Sequence, residues 1–226
     1  MLRALSCALI ALGCTRAVAQ ASPPMLRFHF ENPQTQPSAY TITLEEDGSG
    51  HFHSEPGTTP PQNAADLPSE GQDRPIHVSA ATAQRIFAVA RAKKLFTVNC
   101  DNSGKVAFTG KKELSYSGPD GQGSCEYNYS HDQQLQWLTS EMQGIAATLE
   151  EGRRLELEHQ HDRLTLDPEL GTLIEMVHNG QAVELGTIAS TLLAIEQDGA
   201  VLERAQRRAH QLLQEVDAAD AQPPKP

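Results

Sequence analysis

Three histidines are spaced so that their imidazoles could meet. His51 and His53 sit two apart in His51-Phe52-His53, and side chains two apart along a strand leave from the same face. The register of the preceding turn says which face that is. A three-residue loop, Glu46-Asp47-Gly48, with Gly48 at positive φ, pairs Phe52 with Ile42 and sends both to the core, leaving the histidines opposite Thr41 and Thr43. A two-residue loop of Asp47-Gly48 would pair His51 with Leu44 and His53 with Ile42, which mixes polar and apolar faces. His29 has the same phase in Leu26-Arg27-Phe28-His29-Phe30. If that strand pairs with the hairpin, His29, His51 and His53 form a candidate set for zinc or copper, which take three or four donors at about 2.0–2.3 Å. The simpler reading is a half-exposed sheet with its polar residues on the wet side. The sequence favours it, because H-x-H alone is a weak metal signal.

Other chemistries find less support. Glu158-His159-Gln160-His161-Asp162 resembles the start of the H-x-H-x-D-H pattern of metallo-β-lactamase-like hydrolases, but the aspartate comes one residue early and no second histidine follows. On a helix, His159 and His161 point about 200° apart, so the segment reads as a solvated charged face closing a helix. The acidic pairs Glu45-Glu46 and Glu150-Glu151 are adjacent, whereas glycoside hydrolysis needs two carboxylates across a cleft. There is no G-x-S-x-G elbow, no Walker A loop and no G-x-G-x-x-G after a strand. Gly118 to Gly123 is glycine-rich but lies between two strands, so it reads as a hairpin loop. No catalytic residue is assigned.

The elements that must position these residues follow from periodicity. Strands are expected at 26–30, 40–44, 51–53, 106–108, 114–116 and 125–129. Residues 55–75 hold five prolines and few hydrophobes and read as a mobile loop. Ser79 can cap a helix reaching Lys94, with Ile86, Phe87 and Ala90 inward. Ser130 and Gln133 form a capping box before Leu135, Leu138, Met142, Ile145 and Leu149, and that helix can run through Gly152 as an exposed charged rod over 150–163. Asp167-Pro168-Glu169 opens another helix. Ile188, Leu192 and Ile195 line a third, and Val201, Ala205, Ala209, Leu212 and Val216 a fourth. The expected class is α+β: an antiparallel sheet of five or six strands with helix 79–94 packed on one face, followed by a C-terminal helical region. Residues 20–130 make the α+β part and 131–216 the helical part, and 217–226 is a disordered tail.

The start of the chain speaks to compartment. Arg3, an apolar run from Ala4 to Gly13 and Ala17-Val18-Ala19 form a secretory signal over residues 1–19. The alternative is a lipoprotein signal with Cys14 as the modified residue. Cleavage after Ala19 removes two arginines and takes the formal charge from -11 to -13. It also leaves two cysteines, Cys100 and Cys125, which in an exported chain read as one structural disulfide. Such a negative surface argues against nucleic acid or anionic lipid as partner, and no later run spans a membrane. The stretch EEGRRLELEHQHDRLTLDPELGTL resembles exported bacterial proteins with an N-terminal α+β region and a helical tail. That resemblance implies export and architecture, and no activity. The expected function is a non-catalytic periplasmic or secreted binding protein, its partner a protein or envelope component suited to an acidic surface. A metal-binding protein or metal-dependent enzyme using the strand histidines is the alternative.

Overall fold

The computed structural model describes residues 22–56, 71–101 and 104–220. The signal segment 1–19 with Cys14, the centre of the 55–75 loop and the last six residues lie outside the described residues. Six antiparallel strands form one sheet in the order β4-β3-β2-β1-β5-β6: β1 Met25–Glu31, β2 Ala39–Glu45, β3 Ser49–Ser54, β4 Asp73–His77, β5 Lys111–Gly118 and β6 Gly121–Tyr127. Strict alternation puts Leu26, Phe28, Phe30, Ile42, Leu44, Phe52, Leu114 and Tyr116 on one buried face. The β2–β3 hairpin has the register argued above, with Phe52 opposite Ile42. Gly48 has φ +89°, and a Cβ there would strike the Val78 carbonyl, so two separate constraints require glycine at this turn.

Helix α1 (Ala80–Ala92) lays Ile86, Phe87 and Ala90 on the buried face, Phe87 meeting Tyr116 edge-on at 6.1 Å. Its N-terminus is capped twice: Thr82 N–H donates to Ser79 Oγ, and Glu184 accepts from Ser79 N–H at 2.6 Å and Thr82 Oγ1 at 2.5 Å. Helix α2 (Gln133–His161) is the long element that joins the sheet to the rest. Leu135, Leu138, Met142, Ile145 and Leu149 are buried in the same apolar cluster as the strand residues. Helices α3 (Leu166–His178) and α4 (Ala189–Gln197) pack on α2, and α5 (Glu203–Asp220) packs on α3 and α4. Arg204 and Arg208 of α5 hold the buried Asp167 at the start of α3.

Several expectations are corrected. A sixth strand, β4, lies at the end of the presumed loop: Pro75 lacks an N–H and Ile76 is its one inward hydrophobe, which suits an edge strand and hides it from periodicity. Val106 to Phe108 is not a strand, and Phe108 is 60% exposed. The Asn128 side chain occupies the place of a ladder partner, donating to Ala107 O and accepting from Thr109 N–H. Past Gly152, α2 is no exposed rod. Gly152 is buried beneath Ile188, which a Cβ would strike, and Leu155 and Glu158 are buried beyond it. The tail is helical as far as Asp220.

The capping box is also displaced. Asp132, not Ser130, caps α2, its Oδ1 accepting from Gln134 N–H at 3.0 Å and Leu135 N–H at 3.1 Å. Its other oxygen meets Lys93 Nζ at 2.5 Å and so ties the start of α2 to the end of α1. Asp132→Ala should therefore cost about 1–2 kcal/mol. Urea denaturation checks this, and an unchanged midpoint would show the cap to be idle.

Candidate functional site

The face of the sheet opposite the core carries the residues that sequence reasoning singled out. Across its strands run two rows. In one, Glu126, Glu113, His29, Thr41, His53 and Asp73 lie side by side; in the next, Ser124, Ser115, Arg27, Thr43, His51 and Pro75. These side chains are half-exposed or exposed on all six strands. An antiparallel sheet tolerates one wet face because its hydrogen bonds are satisfied within the ladder.

The rows decide which histidines meet. His51 and His53 do converge, but on a carboxylate that sequence reasoning had not included: His51 Nε2 is 3.0 Å and His53 Nδ1 3.9 Å from the same oxygen of Asp73. His29 is separated from them by the width of β2. It and His53 both face Thr41, one from each side, which puts their backbones about 9–10 Å apart. The His29 ring is bonded to Thr41 Oγ1 at 3.0 Å. His29 thus has its partner on β2, while His51 and His53 share Asp73. Among the described residues, no group of three or more His, Cys, Asp or Glu side chains is placed to hold a metal ion.

A second region, at one end of the sheet, combines concavity with buried charge. There β1, β3 and β6 end, β2, β4 and β5 begin, and α2 passes across them. Two cavities open along the helix. The one of about 330 Å³ lies beside Phe30 and Tyr40 and is bounded by Glu150, Glu151, Arg153 and Arg154. Glu150 is well held, accepting from Gln72 Nε2 at 2.8 Å and Arg153 Nε at 3.2 Å. Glu151 Oε2 and Arg153 Nη1 are buried with no hydrogen-bond partner. Burial raises the Glu151 carboxyl above its ordinary range, with Arg154 opposing the shift.

The other cavity, of about 340 Å³, lies where β5 and β6 meet the start of α2. Lys112 projects into it from an inward-facing position, in phase with Leu114 and Tyr116, and is 4% exposed. Sequence reasoning passed over this lysine, although the alternation Lys112-x-Leu114-x-Tyr116 marks it as a charge on the core face. Tyr127, on the cavity wall, shares a 2.6 Å hydrogen bond with Thr139, and burial pushes its phenol up to about 12.

The disulfide is formed. Cys100 and Cys125 are joined with their Cα atoms 5.9 Å apart, both buried, and the bond ties the segment after α1 to the edge strand β6. No helix among the described residues is long and apolar enough to cross a membrane. No protein-family model matches this chain, and comparison with curated proteins finds no match.

Proposed function

We propose that the protein is exported and acts as a non-catalytic binding module, docking a basic protein partner on the open face of its sheet. The observation that carries this reading is the charge of that face. Its outward positions hold Glu31, Glu45, Asp73, Glu113 and Glu126 against only Arg27 and Lys111. Arg27 is paired with Glu113 at 3.7 Å and Lys111 with Glu126 at 3.1 Å. Among the described residues, Glu31 and Glu45 have no lysine or arginine in ion-pair reach, and Asp73 has only histidines. Six strands at about 4.8 Å spacing give a face roughly 28 Å wide, the scale of a standard interface of ~800 Å² per partner. The buried disulfide supports an oxidising compartment, and the leader over residues 1–19 supports the route to it.

Two measurements test this. Mass spectrometry of protein recovered from the envelope or medium should find a chain starting at Gln20. A photo-crosslinker in place of Thr43 should capture a basic protein, which in purified form binds with an affinity that falls as salt rises. Glu31→Lys, Glu45→Lys and Asp73→Lys together should weaken that binding at least about tenfold. Unchanged affinity in the triple variant, or a captured partner that is not basic, would overturn the proposal.

A further inference from the structure

The Lys112 cavity lies at the end of the sheet, away from the rows of the open face, and nothing in the proposed docking uses it. Lys112 is a buried cation with no counter-ion among the described residues. Its ammonium donates to the carbonyls of Gly110 at 2.9 Å, Asn128 at 2.9 Å and Thr109 at 3.3 Å, with Thr109 Oγ1 at 3.1 Å. Three carbonyls accept its three protons, an arrangement that suits the charged form. Among the described residues no carboxylate lies within ion-pair distance, and the Phe30 ring is 5.6 Å from the ammonium. Burial accordingly lowers its pKa. A desolvated charge favours an opposite one nearby, and this one sits in a chain whose formal charge is -11, where carboxylates are plentiful.

The rest of the cavity wall supplies donors. Tyr129 accepts a hydrogen bond from Gln136 Nε2 at 2.8 Å, which leaves its own O–H to give. Ser140 and Gln143 of α2 also line the space, and among the described residues their side chains make no hydrogen bond. At about 340 Å³ the cavity is at the small end of ligand sites. One ammonium balances one negative charge, which matches a carboxylate better than a phosphate carrying nearly two.

We propose that this cavity binds the carboxylate of a small organic anion, with Lys112 as the counter-charge and Tyr129, Ser140 and Gln143 as hydrogen-bond donors. Because the protons of Lys112 are committed to backbone carbonyls, it acts through its field across a short distance. Tyr129, in the connection after β6, and the donors on α2 make the direct bonds. The carboxylate belongs either to a free acid or to the C-terminus of a peptide, and the test separates these.

Isothermal titration of the mature protein would compare propionate with propionamide, and N-acetyl-dialanine bearing a free C-terminus with its amide. Saturable binding of one or both carboxylates, and of neither amide, is the expected result; whichever carboxylate binds names the source. Lys112→Met should weaken binding at least tenfold. Gln143→Met, a change on a helix surface that leaves the lysine cage intact, should weaken it severalfold and guards against misfolding of the first variant. In the wild-type protein, the ¹³C-labelled ε-carbon of Lys112 should report a higher pKa with ligand than without, because an anion nearby favours the cation. Equal binding of acid and amide, no saturation by either carboxylate up to about 10 mM, or a Lys112 titration indifferent to the ligand would each overturn the proposal. None of these outcomes bears on docking at the open face, which depends on Glu31, Glu45 and Asp73.

Discussion

Replacing Cys100 and Cys125 by alanine is expected to destabilise the protein by about 3–4 kcal/mol, which in a chain of this size lowers the melting temperature by roughly 10 °C. The bond closes a loop spanning a sequence separation of 25, and the chain-entropy model assigns most of its effect to the unfolded state. A local reason adds to this. After α1 the chain makes a tight turn in which Lys94, Leu95 and Phe96 all have positive φ, at 51°, 56° and 63°. Left-handed backbone costs a side-chain-bearing residue about 1–2 kcal/mol. The turn is held by what surrounds it: Phe96 is fully buried, and four residues later the disulfide fastens the same segment to β6. Without the bond this segment should open before the rest, exposing the free edge of β6. Urea denaturation of the double variant against wild type, with hydrogen exchange at residues 94–100, checks both statements. A difference below about 1 kcal/mol would mean that the packing of Phe96 alone suffices.

That segment also shows how much of the molecule could be read from residue order. Alternation over β1, β2 and β3 is legible because each inward residue is large and apolar and each outward one polar. Asp47-Gly48 then leaves one register that keeps the faces apart, and Phe52 opposite Ile42 follows. The cysteine pair is legible by elimination once a leader is assumed. What escaped depends on contacts between segments far apart in sequence. Nothing near Pro75 announces a strand, since β4 is an edge held by its ladder to β3. Val106 to Phe108 looks like a strand until the Asn128 side chain is seen to take the ladder's place. Asp132 outcompetes Ser130 as a cap because Lys93, just past the end of α1, holds its second oxygen. The charged stretch after Gly152 looks wholly solvated, yet Leu155 and Glu158 are buried within it, and Ile188 settles on the one residue that lacks a side chain.

The candidate sites divide along the same line. Local period placed His51 and His53 on a common face, and they are. How far His29 lies from them was a question of strand order, and β2 stands between β1 and β3. Asp73 entered the cluster only because β4 exists. The end-of-sheet cavities were the least legible, since they are spaces between elements. Only the phase of Lys112 with Leu114 and Tyr116 gave any sign of them.

Glu158 yields the second large effect, and its sign is opposite to that of an ordinary carboxylate. It is buried on α2, its Oε2 has no hydrogen-bond partner, and its carboxyl is pushed up to about 7, by burial first and by Glu169 next, against the pull of Thr165 and Arg154. Its position in the last turn of α2, near the negative end of the helix dipole, acts in the same direction. In the unfolded chain the same group titrates near 4.3. Between these values the folded protein holds a proton that the unfolded chain has lost, so stability falls as pH rises through that window and stays lower above it. In full the shift corresponds to about 4 kcal/mol, and solvent near the end of the helix reduces this to about 2 kcal/mol. Glu158→Gln keeps the shape and removes the charge. It should stabilise the protein by about 2 kcal/mol at pH 8 and change little at pH 4.5, where the wild-type carboxyl is already neutral in the fold. Glu141, likewise raised to about 7 by burial and by Glu184, is present in both proteins and cancels from the comparison. Urea denaturation at the two pH values measures the difference. A gain of equal size at both would show that the effect does not come from the carboxyl's charge, and a loss at pH 8 would show that Glu158 is ionised at little cost beside Arg154.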